Sequence, residues 1–142
     1  MKKRIFFIAL IIFGFFTVQA FAQEKVEVIT PETIEVQSDI TYPIPYIPVL
    51  KGLSYKPSES AILKTGGTIT GILVFQGNYK PASLVEFYRT QMRAQGWEEV
   101  GSFTSKTTFL AFRRQEGQAF IVLSEGWINT TVRIIFFLTG VK

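Results

Sequence analysis

Four glutamates in the regular part of this chain could carry acid–base chemistry: Glu98, Glu99, Glu116 and Glu125. Two carboxyl groups held about 5–10 Å apart can hydrolyse a glycosidic bond. Glu98 and Glu99, however, are neighbours in a predicted strand and therefore point to opposite faces. Glu116 lies at a predicted hairpin tip and Glu125 near a strand end, where solvated acids are ordinary. A carboxylate-based hydrolase is therefore a distant alternative, and we predict no catalytic residue.

The chain contains no His and no Cys. These absences exclude a His general base, a Ser-His or Cys-His nucleophile pair and a zinc site of the usual His-containing kind. The only Asp is Asp39, so a carboxylate-rich calcium loop is also excluded. The glycine-rich residues 66–71 lack a following Lys-Ser/Thr and open a predicted strand rather than a helix, unlike a phosphate-binding loop. We predict no metal and no cofactor.

Residues 1–22 have the layout of a secretory signal peptide. A basic start at residues 2–4 precedes an apolar run, and Ala20 and Ala22 provide the small residues of a cleavage site after Ala22. We therefore expect export to the periplasm or beyond. The alternative is a retained anchor, although residues 5–22 fall short of the roughly 20 apolar residues of a spanning helix. Membrane contact is expected only if this segment stays uncleaved.

Export changes how the net charge of +4 is interpreted. Residues 2–4 supply three of the fifteen basic residues, which leaves twelve against eleven acidic residues in the rest of the chain. A nearly neutral domain gives no support to nucleic-acid binding, which needs a basic face. Without Cys, the exported chain has no disulfide to stabilise it. Its 47% hydrophobic composition nevertheless indicates a folded core.

Two segments are predicted after the signal peptide: an extended arm over residues 23–60 and an α+β domain over residues 61–142. The prolines at positions 43, 45 and 48 rule out a helix or a central strand and indicate a polyproline-like stretch. One interpretation is a ligand for a proline-recognising partner. The other is a strap that covers the domain's own apolar surface with Tyr42, Ile44, Tyr46 and Ile47. We favour the strap, because modules that read such motifs are mostly cytoplasmic.

The domain pattern predicts a strand over residues 68–76 and an amphipathic helix from Pro81 to about Gln95. Gly96 suits the residue that ends such a helix in the left-handed conformation. Four strand-like runs follow, over residues 97–103, 107–114, 118–124 and 130–138. The fold class is therefore α+β: one helix packed on a mainly antiparallel sheet, in the order strand, helix and four-strand meander.

Glu116-Gly117 is the predicted two-residue turn between the second and third strands of the meander. That turn would place Arg113 opposite Phe120, where a guanidinium could stack on the ring. It also predicts which side chains share a face. Leu110, Phe112, Ile121 and Leu123 line one side of this hairpin, and Phe109, Ala111, Phe120 and Val122 line the other.

The end of the predicted helix carries a short motif, Phe87-Tyr88, Met92 and Gly96-Trp97, which Gly71 and Gly77 precede. With the β-meander that follows, it resembles small exported or lipoprotein-like bacterial domains of uncharacterised function. The resemblance covers residues 45–138 and implies an extracytoplasmic α+β domain with no known activity. Lipoprotein members would have a Cys at the cleavage site, so the lipid tether does not carry over to this chain.

The predicted meander is apolar on both sides, yet a single helix can cover only one face of the sheet. Something must shield the second face: the arm, a second copy, another protein or a lipidic ligand. The strand-borne Arg113 and Arg133 could bind a partner, or could guard a strand edge against aggregation. With Arg114 as a further basic candidate, the predicted interaction surface comprises Tyr42, Tyr46, Phe109, Arg113, Phe120, Val122, Trp127 and Arg133.

The pattern therefore favours an exported, non-enzymatic module of the bacterial envelope that docks another envelope protein or itself. The alternative is a small carrier that holds a lipid-like or amphipathic ligand between the helix and the sheet. An apolar cavity would favour the carrier.

Overall fold

A computed structural model describes residues 39–141. The signal-peptide prediction for residues 1–22 and the first part of the predicted arm lie outside this range. The described strands are β1 (Ile40–Ile44), β2 (Ile47–Leu50), β3 (Ser54–Tyr55), β4 (Ala61–Thr65), β5 (Thr68–Gly77), β6 (Glu98–Thr104), β7 (Thr107–Arg114), β8 (Gly117–Glu125) and β9 (Thr130–Thr139). Helix α1 spans Pro81–Ala94, and one 3₁₀ turn spans Pro57–Glu59.

The main sheet is antiparallel and follows the order β3-β5-β9-β8-β7-β6, with β4 also paired to β5. Strands β6 to β9 form the predicted meander, and β5 adds to its far side by pairing with β9 along its whole length. Strand β4 reaches β5 through the Gly66-Gly67 turn, where both residues have positive φ. The α+β prediction is confirmed: one amphipathic helix packs on a mainly antiparallel sheet.

Helix α1 begins with Pro81, whose missing N–H is harmless in the first turn. Leu84, Tyr88 and Met92 recur at helical spacing and are fully buried against the sheet. Gly96 follows the helix with φ of +84°, as predicted for its end. The Trp97 N–H then donates to the carbonyl of Met92 and turns the chain into β6.

The proline-rich stretch folds differently from the polyproline-like segment predicted. Strands β1 and β2 pair as an antiparallel hairpin, whose turn holds Tyr46 in the left-handed region with φ of +66°. Ile44, Ile47 and Val49 are buried in the same core as α1. The pair is a two-stranded sheet of its own, where proline removes few ladder hydrogen bonds. This hairpin therefore covers apolar surface on the helix side of the domain.

The predicted register of the β7–β8 hairpin is wrong by two residues. The turn residues are Gln115 and Glu116, and Gly117 already belongs to β8, opposite Arg114. An even shift keeps every side chain on its predicted face, because the side-chain period of a strand is two. The two predicted groups of apolar side chains are therefore found on opposite faces of the sheet, and only their direct neighbours differ.

The face of the sheet that points away from α1 is here called the open face. Among residues 39–141, no helix or strand packs across it, apart from the 3₁₀ turn beside β5. Most of its side chains are half-buried or exposed, whereas most apolar side chains on the helix side are buried. Val74, beside the 3₁₀ turn, is the buried exception. The other large apolar members of the open face are Leu63, Ile72, Phe103, Phe109, Phe120, Val122, Ile135 and Phe137.

The Tyr88 hydroxyl is buried in the core without a hydrogen-bond partner among the described residues. This burial raises the pKa of Tyr88 far above its ordinary value. Because an unpaired buried hydroxyl costs about 1–3 kcal/mol, we expect Tyr88→Phe to raise the free energy of unfolding by about 1 kcal/mol. Urea denaturation measures the change. Tyr42→Phe is the control: the Tyr42 side chain is exposed and its hydroxyl accepts one exposed hydrogen bond from Gln95, so this substitution should change the stability little. A Tyr88→Phe variant less stable than the parent would contradict the expectation.

Candidate interaction surface

Three phenylalanines from adjacent strands form a ladder across the open face. Phe103 on β6 stacks on Phe109 on β7, with ring centroids 5.2 Å apart and an interplanar angle of 13°. Phe109 in turn lies 5.6 Å from Phe120 on β8, centroid to centroid. Phe103 remains 62% exposed despite these contacts. The ladder is a large apolar surface, and the strand register fixes the relative positions of its three rings.

The apolar surface continues beyond Phe120 onto β9 and β5. Ile135 lies directly opposite Phe120 and is 39% exposed. Phe137, two residues further along β9, is 50% exposed. Ile72 on β5 pairs with Ile135, and Leu63 on the outer strand β4 is also exposed. Contiguous exposed apolar surface of this extent is typical of an interaction site.

Charged groups mark one corner and the middle of the open face. Arg113 and Glu98 sit opposite each other on β7 and β6 and form an exposed ion pair of 3.2 Å. Arg133 on β9 lies directly between Val122 on β8 and Val74 on β5 in the strand register. No acid in the described part of the chain forms a salt bridge with Arg133. A half-buried guanidinium among apolar neighbours favours a partner that supplies a carboxylate.

The structure gathers five of the predicted interaction residues on this face: Phe109, Arg113, Phe120, Val122 and Arg133. The predicted contact between Arg113 and Phe120 is wrong, because Arg113 pairs with Gln118, and Phe120 faces Ala111. The two-residue register shift separates them. The cation–π contact found among the described residues instead joins Arg114 to Tyr46, with the guanidinium carbon 3.7 Å from the ring centroid.

Tyr42 and Tyr46 lie on the helix side rather than on the open face. The Tyr46 carbonyl accepts a hydrogen bond of 2.8 Å from the Trp97 indole. Arg114 lies over the Tyr46 ring and donates a hydrogen bond to the carbonyl of Gln95 at the end of α1. It also forms an ion pair of 2.6 Å with Glu116. The hydrogen bond from Arg114 lowers the pKa of the Glu116 carboxyl. These contacts fasten the β1–β2 hairpin to the helix end, so the two tyrosines have a structural role here.

Trp127 lies in the loop between β8 and β9, away from the ladder, and is fully exposed together with Ile128. The sequence prediction did not include Phe103 or Leu63 in the surface. Alternation along the predicted strand would have placed Phe103 on the side of Glu99, because the register shift between Glu99 and Gly101, which moves Phe103 to the open face, has no signal in the sequence. Leu63 gave no signal either, since every residue of β4 is exposed and the strand shows no in–out alternation.

Comparisons with protein families, with curated proteins and with solved structures found no match for this chain. The resemblance of residues 45–138 to exported lipoprotein-like domains therefore stays a prediction.

The four glutamates considered for catalysis in the sequence are spread over the domain. Glu98 and Glu99 point to opposite faces, as predicted, and each pairs with an arginine, Arg113 or Arg89. Glu116 and Glu125 flank opposite ends of β8, about 30 Å apart at strand rise. Residues 39–141 contain no cluster of three acids that could hold a metal ion. No helix in that range combines the length and apolar character needed to cross a bilayer.

Proposed function

We propose that this protein is an exported, non-enzymatic module of the bacterial envelope that binds another folded protein through its open face. One observation carries the proposal: an aromatic and aliphatic surface spans the sheet opposite α1, and no described element packs over it apart from the 3₁₀ turn beside β5. The basic, apolar and small-residue pattern of residues 1–22 supports export.

The composition of the open face supports a protein as the partner. Aromatic residues and arginine are the types enriched where proteins bind one another. The apolar middle of the face is bordered at one end by polar Gln76, Ser124 and Thr131, and at the other by the Arg113–Glu98 pair. An apolar centre within a polar rim is the usual arrangement of such interfaces.

Leu84, Tyr88 and Met92 occupy the interface between helix and sheet. A carried ligand would have to lie in this same interface, which these side chains occupy by packing directly against the sheet core. We therefore base the binding hypothesis on the exposed surface of the domain.

A photo-crosslinking residue placed at position 120 tests the proposal in the full chain, expressed with its leader. We expect ultraviolet light to give a covalent adduct of higher mass, because position 120 lies at the middle of the proposed contact. The same residue at position 86, on the exposed side of α1, is the matched control and should give none. Equal absence of adducts from both positions would overturn the proposal.

A further inference from the structure

Four residues mark the corners of a near-square on the open face. Phe137 and Arg133 lie on β9, four residues apart. The register aligns Phe137 with Gln118, Arg113 and Glu98 in one row across the sheet. It aligns Arg133 with Val122, Phe109 and Phe103 in another. Phe137 and Phe103 are therefore one pair of diagonal corners, and Arg133 and Glu98 are the other.

The sides of this square have nearly equal lengths. From β9 to β6 there are three strand spacings, or about 14 Å, and four residues along β9 also span about 14 Å. The diagonal from Phe137 to Phe103 passes beside Phe120. Arg133 and Glu98 lie on opposite sides of that diagonal, each about 10 Å from it by the same spacings.

We propose that the protein docked on the open face is a second copy of this chain, related by a two-fold axis that runs along the Phe137–Phe103 diagonal. This inference rests on the proposed function and names its partner. Rotation about such an axis brings each of the three phenylalanines near the diagonal against its own copy. It also exchanges the other two corners, so that Arg133 of each copy faces Glu98 of the other.

The charges of the open face favour this arrangement. Arg133 has no salt bridge in the described part of the chain, and Glu98 uses only its Oε2 atom, which accepts from Arg113. Two copies related in this way satisfy both groups twice, because a two-fold interface uses the same patch on both sides. Stacked sheets lie about 10 Å apart, a separation that a facing Arg and Glu can span. The strands of the two sheets would cross at close to 90°, which is one of the two established modes of sheet packing.

The size of the open face also fits. Six strands at about 4.8 Å spacing, each about eight residues long, cover roughly 800 Å². A stable protein interface of standard size buries about 800 Å² on each partner. Rotation about the diagonal leaves β4 and part of β5 outside the contact, so about 600 Å² of each copy meets the other, which lies at the lower end of the range for specific interfaces.

Single cysteines in the full chain test the axis, because the natural sequence contains no Cys. Ala111→Cys lies beside the axis, opposite Phe120 on the open face, and should link to its own copy when a short bismaleimide is added. Arg133→Cys alone and Glu98→Cys alone should not, since each would be about 20 Å from its own copy. An equimolar mixture of these two variants should link, because position 133 of one chain faces position 98 of the other. The mixed dimer keeps one native Arg133–Glu98 pair. Glu86→Cys, on the exposed side of α1, is the background control.

Gel mobility and mass spectrometry identify the products, and each outcome decides a different point. Linked dimers from Ala111→Cys and from the mixture, but from neither corner variant alone, would support the two-fold axis. A mixture that links no more than its separate components would overturn the axis. An Ala111→Cys variant that stays monomeric, while the photo-crosslinker at position 120 attaches to a protein of different mass, would overturn the second copy and leave the proposed function standing. Failure of both reagents would overturn both.

Discussion

Replacing Phe120 with Ser and Val122 with Thr should weaken association of the chain at least about 30-fold. Fully burying a Phe side chain stabilises by about 2–3 kcal/mol, but Phe120 is already half-buried in the single chain, so docking adds only about 1 kcal/mol in each copy of a symmetric dimer. A loss of about 2 kcal/mol corresponds to about 30-fold in the dissociation constant. Val122, which flanks Arg133 and Phe109 on the open face, adds to the loss. Sedimentation velocity over a range of protein concentrations measures the effect.

The fold should survive this double substitution. Both side chains are only half-buried in the described structure, and Ser and Thr are tolerated on a strand that faces water. The control is Trp127→Ser with Ile128→Thr, which removes an even larger exposed apolar area from the loop between β8 and β9. That control should associate like the parent. If the Phe120 and Val122 variant unfolds like the parent and associates like it, the open face is not the interface.

Local sequence patterns predicted much of this fold, because the alternation of apolar residues is a local property. They predicted α1, its end at Gly96 and the strands β5 to β9, as well as the two sets of side chains on opposite faces of the β7–β8 hairpin. They did not predict β4, whose five residues are all exposed and therefore show no alternation. The β1–β2 hairpin was missed because its prolines oppose strand formation locally, while burial of Ile44 and Ile47 in the core outweighs that preference.

The candidate surface was predicted in part for the same reason. Which face a strand residue occupies follows from counting by two, so Phe109, Phe120, Val122 and Arg133 were placed together correctly. Which residues touch depends on the register. The predicted contact of Arg113 with Phe120 was wrong because the predicted register was wrong. The positions of Tyr42 and Tyr46 depend on where the hairpin docks. That is a long-range property for which the sequence around them carries no signal.

Gly117→Ala should be among the most destabilising single substitutions in the domain, costing about 3 kcal/mol or more of the free energy of unfolding. A Cβ atom at position 117 would overlap the carbonyl oxygen of Phe137 on the neighbouring strand β9. That oxygen belongs to the backbone and cannot move aside as a flexible side chain could. Just beside it, the Thr139 N–H donates to the Glu116 carbonyl at 2.7 Å, so a displaced β9 would also strain this bond.

Gly101→Ala is the matched control for this prediction. Gly101 also lies in a strand of the same sheet, but on the outer strand β6, and a Cβ there would meet open space. Because alanine loses less conformational freedom than glycine on folding, Gly101→Ala should be neutral or slightly stabilising. Urea denaturation of both variants separates the effect of the contact from the general effect of adding a methyl group.

The same contact explains why the turn was misplaced. A glycine after Glu116 indicates a hairpin loop when only the local sequence is considered. Gly117 is instead required by the close approach of β9, which only the folded sheet provides, and the turn moves back to Gln115 and Glu116. If Gly117→Ala proved as stable as Gly101→Ala, steric exclusion could not be what fixes this register. The rows that align Phe137 with Glu98, and Arg133 with Phe103, would then lose that support.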